Sequence, residues 1–360
     1  MFLGIRDIVF AKGRFALIAS VVGLLTLLLV MLTGLTGGLG KQNTAGIESF
    51  GADRVVFGAV GSATPEVSFT SSEITDAAQQ QWAHASGVDS ATAVGISQTK
   101  LETSHSSVSA AVFGVPADSD ILHTSVGAAT AGNETLSDHS VVLGQSIAED
   151  AGVNPGDRVS IGGQEFTVSG IVKDTFYSHQ PVMWMNTASW QELSHVNNSS
   201  AKIVGTVLAV SAPSLSNNQF NDIANSSHTQ AVSTKESFKG LPAYSSERSS
   251  LQSMQGFLYG ISALVTISFL TVWTIQRTRD LAVLRDALIQ AAIILLAGAV
   301  IGAAAGWALG ALASGAVPFK LDVLTIAGPA VGIWLIGLAG SLIATARISK
   351  IDPMIALGGN

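Results

Sequence analysis

The sequence predicts an α-helical membrane protein with four transmembrane helices and an α+β extracellular domain inserted between helices 1 and 2. Three observations predict it. Only 12% of the 360 residues are charged, about half the roughly 25% of an ordinary soluble domain, and the mean hydropathy is +0.44. Residues 15–39, 254–275, 287–317 and 323–346 carry no charge at all. Between the first and second of these stretches the chain turns acidic and takes on strand-like alternation. Each uncharged stretch exceeds the roughly 20 residues needed to cross a bilayer core, whereas a buried soluble helix needs only about 10–14. The organisation expected is 1–40 (cytoplasmic start and helix 1), 41–250 (external domain with stalk ends), 251–286 (helix 2 and a short cytoplasmic loop) and 287–360 (helices 3 and 4 and a basic tail).

The first stretch is longer than the roughly 7–15 apolar residues of a signal peptide, and residues 34–40 make a poor cleavage site. It reads as a signal anchor kept as helix 1. Orientation follows from the basic residues. Arg6, Lys12, Arg14, Arg277, Arg279, Arg285, Arg347 and Lys350 fall on one side, against Lys320 alone in the short opposite loop. The basic side is cytoplasmic by the positive-inside rule. Residues 41–253 then lie outside, with nine Lys or Arg against twenty Asp or Glu, a net of −11. That acidity argues against a nucleic-acid partner. The chain has no cysteine, so packing alone must hold the external domain.

Within that domain, alternation in "RVVFGAV" (54–60) and "SVSAAVFGV" (107–115) predicts strands. "SSEITDAAQQQWAHAS" (71–86) predicts an exposed helix opening on a Ser cap. "SVVLGQSIAEDAGVNPGDRVSIGGQEFTVSGIVKD" (140–174) predicts strand, short helix, turn and hairpin, turning at Pro155-Gly156-Asp157 and Gly162-Gly163. The Asn- and Ser-rich stretches 195–202 and 214–230 read as loops.

In helix 3, Gly298, Gly302, Gly306 and Gly310 repeat every fourth residue, which stacks them on one face and permits close helix packing. Gly256 and Gly260 repeat the spacing in helix 2. "GLGKQ" (38–42) has Leu35 and Gln42 where a phosphate-binding loop needs Gly and Ser or Thr, so it is not a nucleotide site. No catalytic motif emerges, and the seven histidines are scattered without ligand spacing. No catalytic residue and no metal site is expected.

Helix, large external domain and three further helices resemble the MacB- and FtsX-like permeases of the type VII ABC transporter superfamily. Three stretches carry the likeness: "VVLGQSIAEDAGVNPGDRVSIGGQEFTVSGIVKD", "QRTRDLAVLR" and "ARISKIDPMIALGG". The resemblance is greatest to the haem-exporting branch. It implies a bacterial cell-membrane permease, not itself an enzyme, working as a homodimer with a separate ABC ATPase that binds ATP. It implies haem drawn from the membrane as the cargo, with no intrinsic cofactor. The alternatives are lipoprotein or peptide export, and FtsX-type control of a cell-wall hydrolase. Arg277, Arg279 and Arg285 would lie at the ATPase docking face, although their placement as positive-inside anchors explains them as well. The sequence departs from the family where Arg285 runs directly into "DALIQAAI", without the insert that precedes the next helix.

Haem export would require axial donors near the outer membrane face. The candidates are Glu48, Met254 and Met31, with Phe50, Phe257 and Tyr259 offering flat apolar surface to the porphyrin. Lipid or helix packing for the methionines, and solvation for Glu48, are the competing structural roles. No iron is expected beyond that of the haem.

Overall fold

The computed structural model describes residues 12–348 apart from 62, 197–201, 243, 276–283 and 316. The chain divides into a helical unit, Met1–Leu39 with Arg248–Asn360, and a sheet unit, Gly40–Glu247. The expected external limits of 41–250 differ from this by a few residues, because helices run unbroken through both boundaries. The first of these is α1 (Lys12–Glu48).

The sheet unit continues with β1 (Arg54–Phe57), β2 (Ile74–Thr75), α2 (Asp76–Ala83), β3 (Ser90–Glu102), β4 (Ser107–Val115), α3 (Ile121–Val126), β5 (Ala131–Gly132) and β6 (Ser140–Gly144). Next come α4 (Gln145–Ala151), β7 (Arg158–Ile161), β8 (Gln164–Val172), β9 (Phe176–Tyr177), β10 (Gln180–Asn186) and α5 (Thr187–Leu193). It closes with β11 (Ile203–Gly205), β12 (Val207–Ser211), α6 (Asn217–Ser226), β13 (Gln230–Ser233) and α7 (Thr234–Ser237). The chain then forms α8 (Tyr244–Ile275), α9 (Leu284–Ala313) and α10 (Val323–Ile348).

The long antiparallel hairpin β3–β4 anchors the sheet, with Gly95 opposite Gly114 and Glu102 opposite Ser107. Strand β10 adds parallel to β4. Strand β6 pairs antiparallel with β10 and parallel with β8. Successive side chains of a strand point to opposite faces, and β10 uses this fully. Val182 and Trp184 join Ile47, Phe50 and Phe113 in one cluster, while Met183 and Met185 join Leu143, Ile147 and Trp190 in another. Both faces are therefore covered, so β6 reads as a continuous buried run rather than an alternating one. At Gly95 and Gly114, which face each other across the β3–β4 hairpin, an added Cβ would strike the Trp190 side chain, so the indole packs on the sheet here only over glycine. The β7–β8 hairpin turns at Gly162 (φ 58°) and Gly163 (φ 83°), a pair of left-handed residues suited to a two-residue loop.

Two local expectations are corrected. Residues 71–86 were expected to be one exposed helix capped by Ser. Instead Ile74–Thr75 pairs with β11, and Thr75 caps α2 by accepting from Ala78 N at 3.2 Å. The helix is not wholly exposed either, since Trp82 is fully buried and donates to Thr229 Oγ1 at 3.0 Å. Residues 214–230 contain a helix rather than loop alone. Ser216 and Gln219 form a capping box at the start of α6. Phe220 and Ala224, one turn apart, are buried, and Arg54 lies 4.5 Å above the Phe220 ring. Asn and Ser richness suggested loop because these residues favour turns, but the cap and two apolar residues at helical spacing prevail.

In the helical unit, Phe15, Ile18, Val22 and Leu29 of α1 pack with Ala291, Ile294 and Leu295 of α9 and Ile333 of α10. Among the described residues, three helices are long and apolar enough to cross a membrane: Phe15–Glu48, Ile289–Ala313 and Val323–Ile343. The fourth expected span, 254–275, lies inside the continuous helix α8. Buried hydroxyls in this unit bond back to their own helix, as Thr26 does to Val22 O at 2.8 Å and Ser262 to Leu258 O at 2.6 Å. In a bilayer this satisfies groups that have no water to turn to.

Candidate functional site

The glycine face of α9 meets α1. A Cβ at Gly298 would come within 2.7 Å of Ala19 O, and one at Gly306 within 2.8 Å of Val30 Cγ1. Gly302 lies against Gly23, while Gly310 lies under the Phe319 ring. On α8 the opposite holds: nothing approaches within 4 Å of where a Cβ would stand on Gly256 or Gly260. Among the described residues, that face of α8 therefore packs on no other helix at these two glycines. Around it Met254 is 54% exposed and Phe257 73% exposed, with Ile261 and Leu264 also open.

The expected haem contacts divide between the units. Met254, Phe257, Tyr259 and Met31 belong to the helical unit, while Glu48 and Phe50 belong to the sheet unit. Met31 is half-buried. Tyr259 packs at Gly332, where an added Cβ would stand 3.0 Å from the ring. Glu48 ends α1, accepts from Thr44 Oγ1 at 2.8 Å and lies 3.7 Å from Lys41. Phe50 is a correction. It is buried, with its ring 5.4 Å from that of Phe113, so it offers no open face to a porphyrin.

Of the expected ATPase-coupling residues, Arg277 and Arg279 lie outside the described residues. Arg285 falls in the first turn of α9. The string 38–42 is helical throughout, inside α1, so its Gly and Lys form no phosphate-binding loop.

Sequence reasoning missed a polar cluster in the sheet unit. Asn43 of α1, Glu247 of α8 and His179 of the β9–β10 turn converge. Asn43 Nδ2 donates to Glu247 Oε2 at 2.8 Å. His179 Nε2 lies 3.0 Å from Glu247 Oε2 and 3.2 Å from Oε1. It is also 2.9 Å from Asn43 Nδ2. A carboxylate only accepts, so the arrangement is consistent when both nitrogens donate to Glu247, which assigns a proton to Nε2. His179 Nε2 is thereby engaged and is not an open ligand.

The backbone reinforces the cluster. Ser178 N donates to Asn43 O at 3.1 Å and His179 N to Gln42 O at 3.0 Å. Ser178 and His179 both take positive φ, 50° and 64°, in a turn where Asn-Gly is the usual pair. Such conformations cost about 1–3 kcal/mol each in non-glycine residues. Below the turn, Tyr177 packs 5.6 Å from Phe113, and burial pushes its hydroxyl well above the ordinary phenol range. The three residues are separated by 68 to 204 positions, so no local signal could have joined them. Among the described residues no group of three His, Cys, Asp or Glu side chains could hold a metal.

These features define a membrane protein whose first helix leads into a large α+β domain. Within that class, the chain belongs to the MacB-like periplasmic core domain family, whose model matches residues 15–225, more than half of its length. It is a multi-pass cell-membrane protein with the large domain outside. It is 26% identical over 216 residues to a protein of Staphylococcus epidermidis that is named as a hemin transport system permease, HrtB. That alignment covers 56% of this chain and 59% of the relative, so the chain matches about three-fifths of that relative's length. The HrtB of Staphylococcus haemolyticus is 22% identical over 377 residues, covering 100% of this chain and 99% of the relative. An uncharacterized ABC transporter permease of Mycobacterium tuberculosis is 23% identical over 372 residues, again with 100% and 99% covered. The periplasmic region of MacB from Actinobacillus actinomycetemcomitans aligns with 53% of this chain and 92% of its own, at 15% identity and a TM-score of 0.39.

Proposed function

We propose that the chain is the permease subunit of an ATP-driven efflux system that takes haem from the membrane, acting as a homodimer with a separate ABC ATPase. The observation that carries this reading is the end-to-end alignment with a protein named as a hemin transport permease. The open apolar strip of α8 supports it. Met254 and Phe257 lie three residues apart on one helix face, are exposed, and combine a thioether donor with a flat ring. Glu48 supplies a carboxylate at the end of the other helix that leaves the membrane.

Haemin titrated into the detergent-purified chain tests the cargo. The expected result is a shifted Soret band, altered by Met254→Ala and by Glu48→Ala. If the chain gives only the spectrum of free haemin, the haem reading fails and the permease has another cargo.

A further inference from the structure

We propose that Asn43, His179 and Glu247 form a clasp that sets the spacing of the two helices leading from the external domain into the membrane, with His179 as its positioning residue. The inference rests on the permease reading, in which movement of those helices carries the work.

Four observations lead to it. The cluster joins α1, α8 and the β9–β10 turn through a single carboxylate, and each partner comes from a different element. The turn grips α1 twice more through its own N–H groups. Asn43 is 2% exposed, yet its Oδ1 has no partner among the described residues, and an orphaned buried acceptor is unfavourable. Two successive non-glycine residues hold left-handed backbone in the turn. Stability alone would favour an Asn-Gly turn and an apolar residue at 43. Strained backbone and unsatisfied polar groups persist where surrounding structure needs that geometry. Here the strain aims one imidazole between two helices. In the helical unit the same helices are tied again, by Gln255 Nε2 donating to Thr36 Oγ1 at 3.2 Å. The clasp and this bond both link α1 to α8 through polar groups.

Removing the ring leaves Asn43 joined to Glu247 and the turn still held to α1 by its N–H groups, but takes the turn off Glu247 of α8. Removing the carboxylate leaves Asn43 Nδ2 and His179 Nε2 2.9 Å apart, a pair that can bond to each other but holds nothing on α8. Loss of the carboxylate should therefore free the end of α8, and loss of the ring should loosen it.

Lys41→Cys and Ser246→Cys place one spin label on each helix, outside the clasp, in a chain with no other thiol. The doubly labelled chain, diluted with an excess of the unlabelled cysteine-free chain in lipid nanodiscs, without haemin, nucleotide or ATPase, is expected to give one narrow interspin distance. Glu247→Ala should add a second, longer population, and His179→Ala, which spares the Asn43–Glu247 bond, a smaller one. The double variant should go no further than Glu247→Ala, and His179→Gln, which keeps an N–H near the Nε2 position, should restore the single distance. An unchanged distribution in both alanine variants overturns the proposal. If neither variant folds, amide hydrogen exchange on the unaltered chain decides: Ser178 and His179 N–H should be protected, and exchange as fast as in exposed loops means that no clasp exists. Since no cargo or ATPase is present, failure here leaves the transport reading standing. Failure of the haemin titration leaves these distances unaffected.

Discussion

Asp322 shows how one side chain can set a helix start at the membrane surface. Its carboxylate accepts from Thr325 N at 2.8 Å and from the Thr325 hydroxyl, capping α10. Lys320 Nζ lies 2.7 Å away. The Lys320 hydrogen bond, then the two from Thr325, hold the carboxyl well below the usual carboxylate range. A depressed folded pKa means stability that is present above the unfolded value of about 3.9 and is lost as pH falls through the folded one. Asp322→Ala is expected to destabilise by about 1 kcal/mol at neutral pH. The effect should fall at the lower end of the capping range, because the pair is 41% exposed on each side and solvent screens it. Asp322→Asn keeps a capping oxygen and should differ from the parent by a smaller amount, which begins to shrink as pH falls below about 4. Thermal unfolding of the detergent-solubilised chain from neutral pH to pH 3 measures both. A pH-independent gap between parent and Asp322→Asn would show that charge contributes nothing there. Asp322 is visible in the sequence as an acidic residue before an apolar run, whereas His179 is not. Its role depends on a turn and two helices distant in the chain, and its own neighbours, Ser178 and Gln180, resemble any polar loop.

At the scale of elements, legibility follows the physics of each segment. Helices α9 and α10 announced themselves because a bilayer demands long uncharged runs, and their glycine spacing could be read because 3.6-residue periodicity stacks every fourth side chain. The strands of 140–174 were legible because Gly162-Gly163 and Pro155-Gly156 fix turns locally. Helix α6 was not, because its polar surface outnumbers the two buried residues that hold it. The glycines on α9 and α8 now separate by environment, and this gives a paired prediction. Gly302→Leu puts a side chain into Gly23 and within 2.8 Å of Thr26 Cβ, so it should drive α1 from α9 and sharply reduce the yield of monodisperse protein. At Gly256 an added Cβ meets nothing among the described residues, so Gly256→Leu should leave that yield intact. If the open face of α8 is covered by a second copy, the same substitution should lower dimer formation, since small residues permit close helix approach. Single cysteines at Gly260 and Met31 test this by cross-linking. Dimer bands that Gly256→Leu weakens support the contact, and no band from either position in membranes rules it out.

At the scale of the whole molecule, the division of labour between chains gives the last prediction. Residues 38–42 are the nearest approach in the sequence to a phosphate-binding loop. They lie inside a continuous helix whose backbone N–H groups are spent on its own carbonyls, so they cannot cradle a phosphate. Purified alone, the chain should hydrolyse no ATP above background, while an ABC ATPase that pairs with it should be stimulated by it. The cytoplasmic surface through which that stimulation passes is expected around Arg277, Arg279 and Arg285. Replacing all three by Ala should abolish stimulation if they dock the ATPase. If they serve only as positive-inside anchors, any lost stimulation should track lost or inverted insertion, which protease accessibility of the external domain reports. The passage from Arg285 straight into "DALIQAAI" sharpens the test, because the family resemblance implies an insert there. Adding a loop of family length after Arg285 should raise ATPase stimulation if coupling needs that insert. No gain, with the ATPase bound in a pull-down, would mean that the short connection is already competent and that the first turn of α9 itself meets the ATPase.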